Sequence, residues 1–236
     1  PVWDRFASGT AASLNLASMR TSVPAPPAPP GPTQGQGNIR YTISGGEGGD
    51  FLPPDLCPCL VVPSGMELVF AVRELLARDR QQISFSVLDL QGQPLAHVIA
   101  SESGPRCGIY VQMLDQTPLA WVRTKKVHEG DGAPEICWPS GEVFATVVRD
   151  ELVPDGHYFL RTPSGQRLHT FHGDFREKAV NVVSACGGLV CDTERCVMDF
   201  DSSPHYQVRV APGIDAGLML CSLLAIDKLE GGSSSA

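Results

Sequence analysis

Short runs of alternating apolar and polar residues, separated by turn residues, fill the chain after position 50. Alternation places successive side chains on opposite faces of a strand, so the pattern indicates half-buried β-strands joined by tight turns. Pro-Ser-Gly turns at 63–65, 139–141 and 163–165 support several joints. About twelve strands are predicted: Leu60–Val62, Glu67–Arg73, Ile83–Asp89, Leu95–Ser101, Gly108–Leu114, Leu119–Thr124, Val143–Arg149, His157–Thr162, Arg167–Phe171, Ala179–Ser184, Leu189–Cys191 and Gln207–Val210.

Similar turns recur about 75 residues apart. Gly65 and Gly141 are separated by 76 residues, and Gly92 and Gly165 by 73 residues. In the second pair each glycine is followed by glutamine, and an alternating strand precedes the turn. A repeat of this length predicts two halves of six strands each. Such a repeat indicates the architecture and does not by itself indicate a function.

One segment, 216–226, is apolar on nearly every residue and carries no charge. Helix boundary signals flank this segment: Pro212 before it, Asp215 at its start, Lys228 near its end and glycines just beyond. They predict a helix near Gly213–Leu229. The run has about half the roughly 20 residues needed to span a bilayer. A helix that is apolar on all sides belongs in a core. Among a dozen strands, it predicts a mainly β (α+β) fold, a closed antiparallel β-barrel around a central hydrophobic C-terminal helix.

The first fifty residues differ in composition from the rest. Pro24–Pro32 reads PAPPAPPGP, which is typical of a polyproline II segment, and a Gly-rich linker follows it. Such a segment cannot form a core. We therefore predict two parts: residues 1–50 as a disordered or docking N-terminal arm, and residues 51–236 as the barrel domain.

Three stretches of the chain, at 60–69, 85–95 and 206–220, resemble the tubby C-terminal-like superfamily, which includes the tubby proteins, the phospholipid scramblases and the LURP-one-related proteins. The helix entry Pro212-Gly-Ile-Asp215 looks most like the LURP-one-related branch. The resemblance covers about residues 51–230 and implies the barrel around a central helix. The tubby proteins of this superfamily have a basic pocket for phosphoinositides, and the resemblance implies such a pocket here. The residues of that pocket have no one-to-one match in this sequence.

Charge narrows the choice of ligands. Lys and Arg total 18 against 26 Asp and Glu, a net charge of −8, which excludes a nonspecific nucleic-acid binder. The first fifty residues carry three of each sign, so the excess lies in the barrel region. Two local basic stretches are the candidate phosphate or lipid-headgroup sites, since paired guanidinium groups fork onto phosphate oxygens. The alternative is that these are ordinary solvated strand faces. Their residues are Arg123, Lys125 and Lys126 in one loop, and Arg161, Arg167, Arg176 and Lys178 in the other.

Motifs for catalysis and metal binding are missing from the sequence. There is no Gly-x-Ser-x-Gly, no phosphate-binding loop and no His-Glu-x-x-His. The eight cysteines form no Cys-x-x-Cys pair, and we expect free thiols. A three-histidine metal site at His157, His169 and His172 is disfavoured because residues three apart on a strand face opposite sides. We expect no catalytic residues, no metal and no cofactor.

These observations favour a non-catalytic binding or scaffolding module that engages protein partners through its loops and N-terminal arm. The first alternative is a peripheral module that binds phosphoinositides or other anionic lipids. The second is a thiol-dependent enzyme. We expect a cytoplasmic protein without a membrane-spanning segment, at most peripheral to a membrane. Because the chain starts at Pro1, a removed targeting peptide and an organellar destination stay open.

Overall fold

The computed structural model describes residues 55–75, 83–101, 107–124, 132–153, 156–199 and 201–233. Within them the chain is an antiparallel meander in which each strand pairs with the next and the last pairs with the first, so the barrel is closed. The elements are β1 (Leu68–Arg73), β2 (Ile83–Asp89), β3 (Pro94–Ser101), β4 (Gly108–Gln112), β5 (Pro118–Arg123), β6 (Glu135–Cys137), β7 (Val143–Asp150), β8 (His157–Arg161), β9 (Arg167–Asp174), β10 (Ala179–Ser184), β11 (Leu189–Met198), β12 (Asp201–Val210) and α1 (Ala216–Ser233).

The predicted mainly β fold, a closed antiparallel barrel of twelve strands with one C-terminal helix in the described chain, is confirmed. One predicted strand is wrong. Residues 58–60 form a 3-10 helix, and Val61 makes only an isolated bridge with Asp215, because this segment crosses the barrel end and does not run along its wall. The short strand β6 was not predicted, since three residues are too few to show alternation. The predicted arm at 1–50 lies outside the described residues.

The two halves of the predicted repeat correspond to β1–β6 and β7–β12. Gly65 and Gly141 occupy the turns before the first strand of each half, and Gly92 and Gly165 occupy the turns after the second strand. All four have positive φ, between +79° and +90°, which L-residues with side chains rarely adopt. The matching glycines therefore mark equivalent turns of the two halves.

The helix α1 lies inside the barrel. Residues 216–227 are all buried, and the apolar side chains among them join one core with inward side chains from the strands, such as Val98, Val122, Phe171 and Val208. The helix extends to Ser233 and not to Leu229 as predicted, because glycine stops a helix only when it takes the left-handed conformation. No helix in the described chain is both long enough and apolar enough to span a bilayer.

Asp215 fixes the start of α1 and ties it to the other end of the described chain. Its Oδ1 accepts the backbone N–H of Leu218 at 3.0 Å, as a helix N-cap does, and its Oδ2 accepts the N–H of Cys57 at 2.7 Å. Gly217 leaves room for Cys57, because a Cβ at 217 would overlap the cysteine side chain. The Cys57 Sγ lies 3.8 Å from the carbonyl oxygen of Leu119. The chain thus enters the barrel beside the start of β5.

Candidate binding surface on the outer face of the barrel

A row of polar side chains crosses the outer face from β5 to β9. Its members lie directly opposite one another in neighbouring strands, and their inward-facing neighbours on the same strands belong to the core. This row, called the arginine row below, contains three of the predicted cations. It consists of Arg123, Glu135, Thr146, Arg161 and Arg167.

The structure brings Arg161 and Arg167 together on Phe159. Their guanidinium carbons lie 5.2 and 4.2 Å from the centre of the Phe159 ring, and the ring is only 7% exposed although it faces outward. Both arginines are exposed, and neither forms an ion pair with a carboxylate of the described residues. Like charges placed directly opposite across a strand pair repel. An anion between them would relieve that repulsion, which makes this arginine pair a candidate anion site.

The other predicted cations lie elsewhere or have partners. Arg123 Nε donates to Glu135 at 2.7 Å, and this bond raises the pKa of the guanidinium. Arg176 lies in the β9–β10 turn, where its carbonyl accepts a bond from Arg195. Lys178 points into the barrel end and places its Nζ 2.7 Å from Asp227 Oδ1. Lys125 and Lys126 lie outside the described residues.

A second row, called the aromatic strip below, runs beside the arginine row on the same face. It contains Ile99, Tyr110, Trp121, Cys137 and Val143, which are opposed in register from β3 to β7. The Tyr110 and Trp121 rings are stacked, with centres 5.3 Å apart and planes 10° apart. Both rings are partly exposed and neither belongs to the internal core. The Arg123 guanidinium lies 5.6 Å from the Trp121 ring centre and connects the two rows.

Gly108 permits this position of Trp121. At its φ of +137°, a Cβ on residue 108 would overlap both the Val122 carbonyl oxygen and the indole nitrogen. The absence of a side chain therefore allows the indole nitrogen to lie close to the backbone of residue 108. The Trp121 Nε1 is buried and has no hydrogen-bond partner among the described residues.

The three candidate metal-binding histidines are divided between two sites. His157 and His172 are neighbours, with ring centres 5.9 Å apart, whereas His169 lies at a separate, partly buried position in β9. In the described part of the chain, no group of three His, Cys, Asp or Glu side chains could hold a metal ion.

His169 makes stability depend on pH. Its Nδ1 is buried without a partner among the described residues, and burial lowers the pKa of the imidazole to about 4. The unfolded chain therefore binds more protons than the folded chain below about pH 6.5, and the free energy of unfolding falls as the pH drops toward 4. We expect a loss of about 2 kcal/mol between pH 7 and pH 5 that is absent in His169→Leu. Urea titrations at both pH values test this, and an equal loss in both proteins would contradict it.

The eight cysteines are free thiols with different environments. Burial raises the pKa of Cys57 and Cys221 far above the usual value, and that of Cys191 to about 12. Thiols with such pKa values stay protonated and are poor nucleophiles. Cys186 lies exposed in the β10–β11 turn, where a hydrogen bond with Ser184 lowers its pKa.

Sequence reasoning did not find the aromatic strip. Its members come from five strands and are brought together only by register, so no local motif marks them. Glu135 was not predicted as a site residue because it lies in β6, a strand too short to show alternation. The sequence does contain a signal for Tyr110 and Trp121. Each lies between two aliphatic residues of a predicted strand, and alternation then places both aromatic rings on the outer face.

The fold is similar to that of an Arabidopsis thaliana protein, AT5G01750, whose structure was determined by X-ray crystallography. The two share 16% sequence identity with a TM-score of 0.53, over 74% of this chain and 97% of the Arabidopsis chain. That protein is of the LURP-one-related family. No protein-family model and no curated protein matches the sequence. Likeness at this identity shows a shared fold, so the predicted resemblance is confirmed for the architecture alone.

Proposed function

We propose that this chain is a non-catalytic binding module of the LURP-one-related type, which recognises an acidic segment of a protein partner with its arginine pair. The observation that carries the proposal is the placement of Arg161 and Arg167 opposite each other on Phe159, exposed and without a described carboxylate partner. The barrel interior is filled by α1, which leaves the outer face and the loops for binding. The module is expected in the cytoplasm.

A carboxylate fits this pair for geometric reasons. A guanidinium fork donates two parallel hydrogen bonds to one carboxylate, and stacking on a ring restricts its orientation before the ligand arrives. Within the arginine row, Glu135 on β6 forms an ion pair with Arg123 on β5, three strands from Arg161 on β8. The arginines of this row without a described carboxylate partner are therefore Arg161 and Arg167. A confined site of two cations suits one acidic side chain or a short acidic segment.

Quantitative co-purification tests the proposal with the full chain as bait. We expect Arg161→Gln/Arg167→Gln to lose at least one partner at least tenfold, because both forks are removed. The double variant Arg149→Gln/Arg209→Gln removes the same charge from two positions outside the arginine row and should retain that partner. Partner lists that are unchanged in the first variant, or reduced equally in both, would contradict recognition by the arginine pair.

The second candidate function is binding of anionic lipid headgroups by the same pair. Phosphate oxygens also accept bidentate bonds from arginine, which is the observation in its favour. The protein carries a net charge of −8, so an anionic membrane repels the barrel as a whole. Flotation with phosphoinositide-containing vesicles tests this candidate. Binding that falls with salt and is lost in Arg161→Gln/Arg167→Gln would support it, and absence of binding at low salt would exclude it.

A further inference from the structure

We propose that the proline-rich segment Pro24–Pro32 docks across the aromatic strip of its own chain as a polyproline II helix. This docking uses a different surface from the arginine pair and does not depend on the function proposed above. The inference rests on the chemistry of the two surfaces, their dimensions and the length of chain that joins them.

The chemistry of the segment and the strip is complementary. The segment contains six prolines, two alanines and one glycine, and it carries no charge. The strip offers the stacked rings of Tyr110 and Trp121, flanked by the aliphatic side chains of Ile99 and Val143. Grooves lined by aromatic side chains recognise polyproline II helices because proline rings pack on them and the helix is already extended before binding. The strip therefore fits an uncharged proline-rich ligand better than an acidic one.

The dimensions of the two surfaces also agree. A polyproline II helix rises about 3.1 Å per residue with three residues per turn, so one turn is about 9.3 Å. Neighbouring strands lie about 4.8 Å apart, so alternate strands are about 9.6 Å apart. The triplet Ala-Pro-Pro at 25–27 repeats at 28–30, which places equivalent prolines one turn apart. If the segment lies across the strands, equivalent prolines meet alternate strands, and its nine residues cover about 28 Å, against about 19 Å from β3 to β7.

The connecting chain is long enough for docking within one molecule. Residues 33–54 form a connection of 22 residues, whose typical end-to-end distance as a flexible chain is about 26 Å. The described chain starts close to the strip, since Cys57 Sγ contacts the carbonyl of Leu119, two residues before Trp121 on β5. Two strand residues span about 7 Å. The segment is thus held at a local concentration in the millimolar range, at which even weak docking is populated.

Fluorine NMR of the full chain labelled with 5-fluorotryptophan tests the docking. The chain has three tryptophans, and single Trp→Phe variants assign their signals. We expect replacement of the six prolines at 24–32 by serine to shift the Trp121 signal by more than its linewidth, because the ring loses its cover. The Trp138 signal is the internal control, since Trp138 packs edge-to-face on Phe144 in the core and should not move. An unchanged Trp121 signal would overturn the proposal.

Two further measurements separate the occupants. A synthetic peptide of residues 22–34, added to the six-serine variant, should return the Trp121 signal toward its wild-type position, whereas a peptide with serines in place of the prolines should not. The wild-type Trp121 signal should be unchanged on dilution. A signal that moves toward that of the six-serine variant on dilution would assign the segment to a second copy of the chain and overturn docking within one molecule.

Discussion

Replacing Leu220 with aspartate is expected to abolish folding of the barrel. Leu220 is 2% exposed in the second turn of α1, where the strands surround it. The substitution removes a buried aliphatic side chain, which costs about 2–5 kcal/mol, and places a carboxylate without a partner in the core, which costs several kcal/mol more. The total is comparable with the roughly 5–15 kcal/mol that stabilises a typical domain.

The measurement is soluble yield followed by thermal unfolding monitored by circular dichroism. Leu220→Met is the matched control, because it retains an apolar side chain of similar volume and is expected to cost less than about 1.5 kcal/mol. A soluble Leu220→Asp protein that melts cooperatively near the wild-type temperature would show that α1 does not need its apolar surroundings.

The second large effect is expected at the ion pair between Lys178 and Asp227. Their charged groups are 2.7 Å apart, with side chains 12% and 7% exposed, and the Tyr206 hydroxyl donates to the second oxygen of Asp227 at 3.2 Å. Lys178→Met leaves the carboxylate buried with the tyrosine alone, and we expect a loss of about 3–5 kcal/mol at pH 8. Lysine and methionine both have unbranched side chains and meet the same positive φ at position 178. The comparison of Lys178→Met with the wild type therefore isolates the effect of the charge.

Burial raises the pKa of Asp227, so the cost of Lys178→Met is expected to shrink as the pH is lowered and the carboxylate takes up a proton. The double variant Lys178→Met/Asp227→Asn should recover at least half of the lost stability, because the amide needs no counter-charge and still accepts from Tyr206. Urea unfolding of four proteins, the wild type, Lys178→Met, Asp227→Asn and the double variant, at pH 8 and pH 5 measures both effects. Additive losses in the double variant would show that the two side chains are not coupled.

The architecture was predictable because it depends on patterns that the chain repeats. Strands β2 and β10 have the bounds that alternation predicts, and the uncharged run at 216–226 identifies the internal helix. Strand β11 was predicted to end at Cys191, whereas it extends to Met198. Its charged outward residues, such as Glu194, alternate with Thr193, which is buried through a hydrogen bond and not through apolarity. Alternation of hydrophobicity alone does not detect such a strand.

The candidate site was predictable only where partners are close in sequence. Arg161 and Arg167 belong to one hairpin, so their approach could be anticipated from the turn between them. Lys178 was grouped with them by sequence distance, but its partner lies 49 residues away on α1. The role of such a side chain depends on the position of the helix end inside the barrel, which local sequence does not contain.

The pairing of β1 with β12 has a consequence for how the protein is made. The barrel closes only when its first and last strands meet, and its interior is filled only by α1, which follows β12. During synthesis on a ribosome, eleven strands emerge before the seam can form, with open edges and an unfilled interior. Contacts of such long sequence separation slow folding and leave the unfinished chain open to aggregation. The barrel therefore remains open to aggregation until α1 has left the exit tunnel.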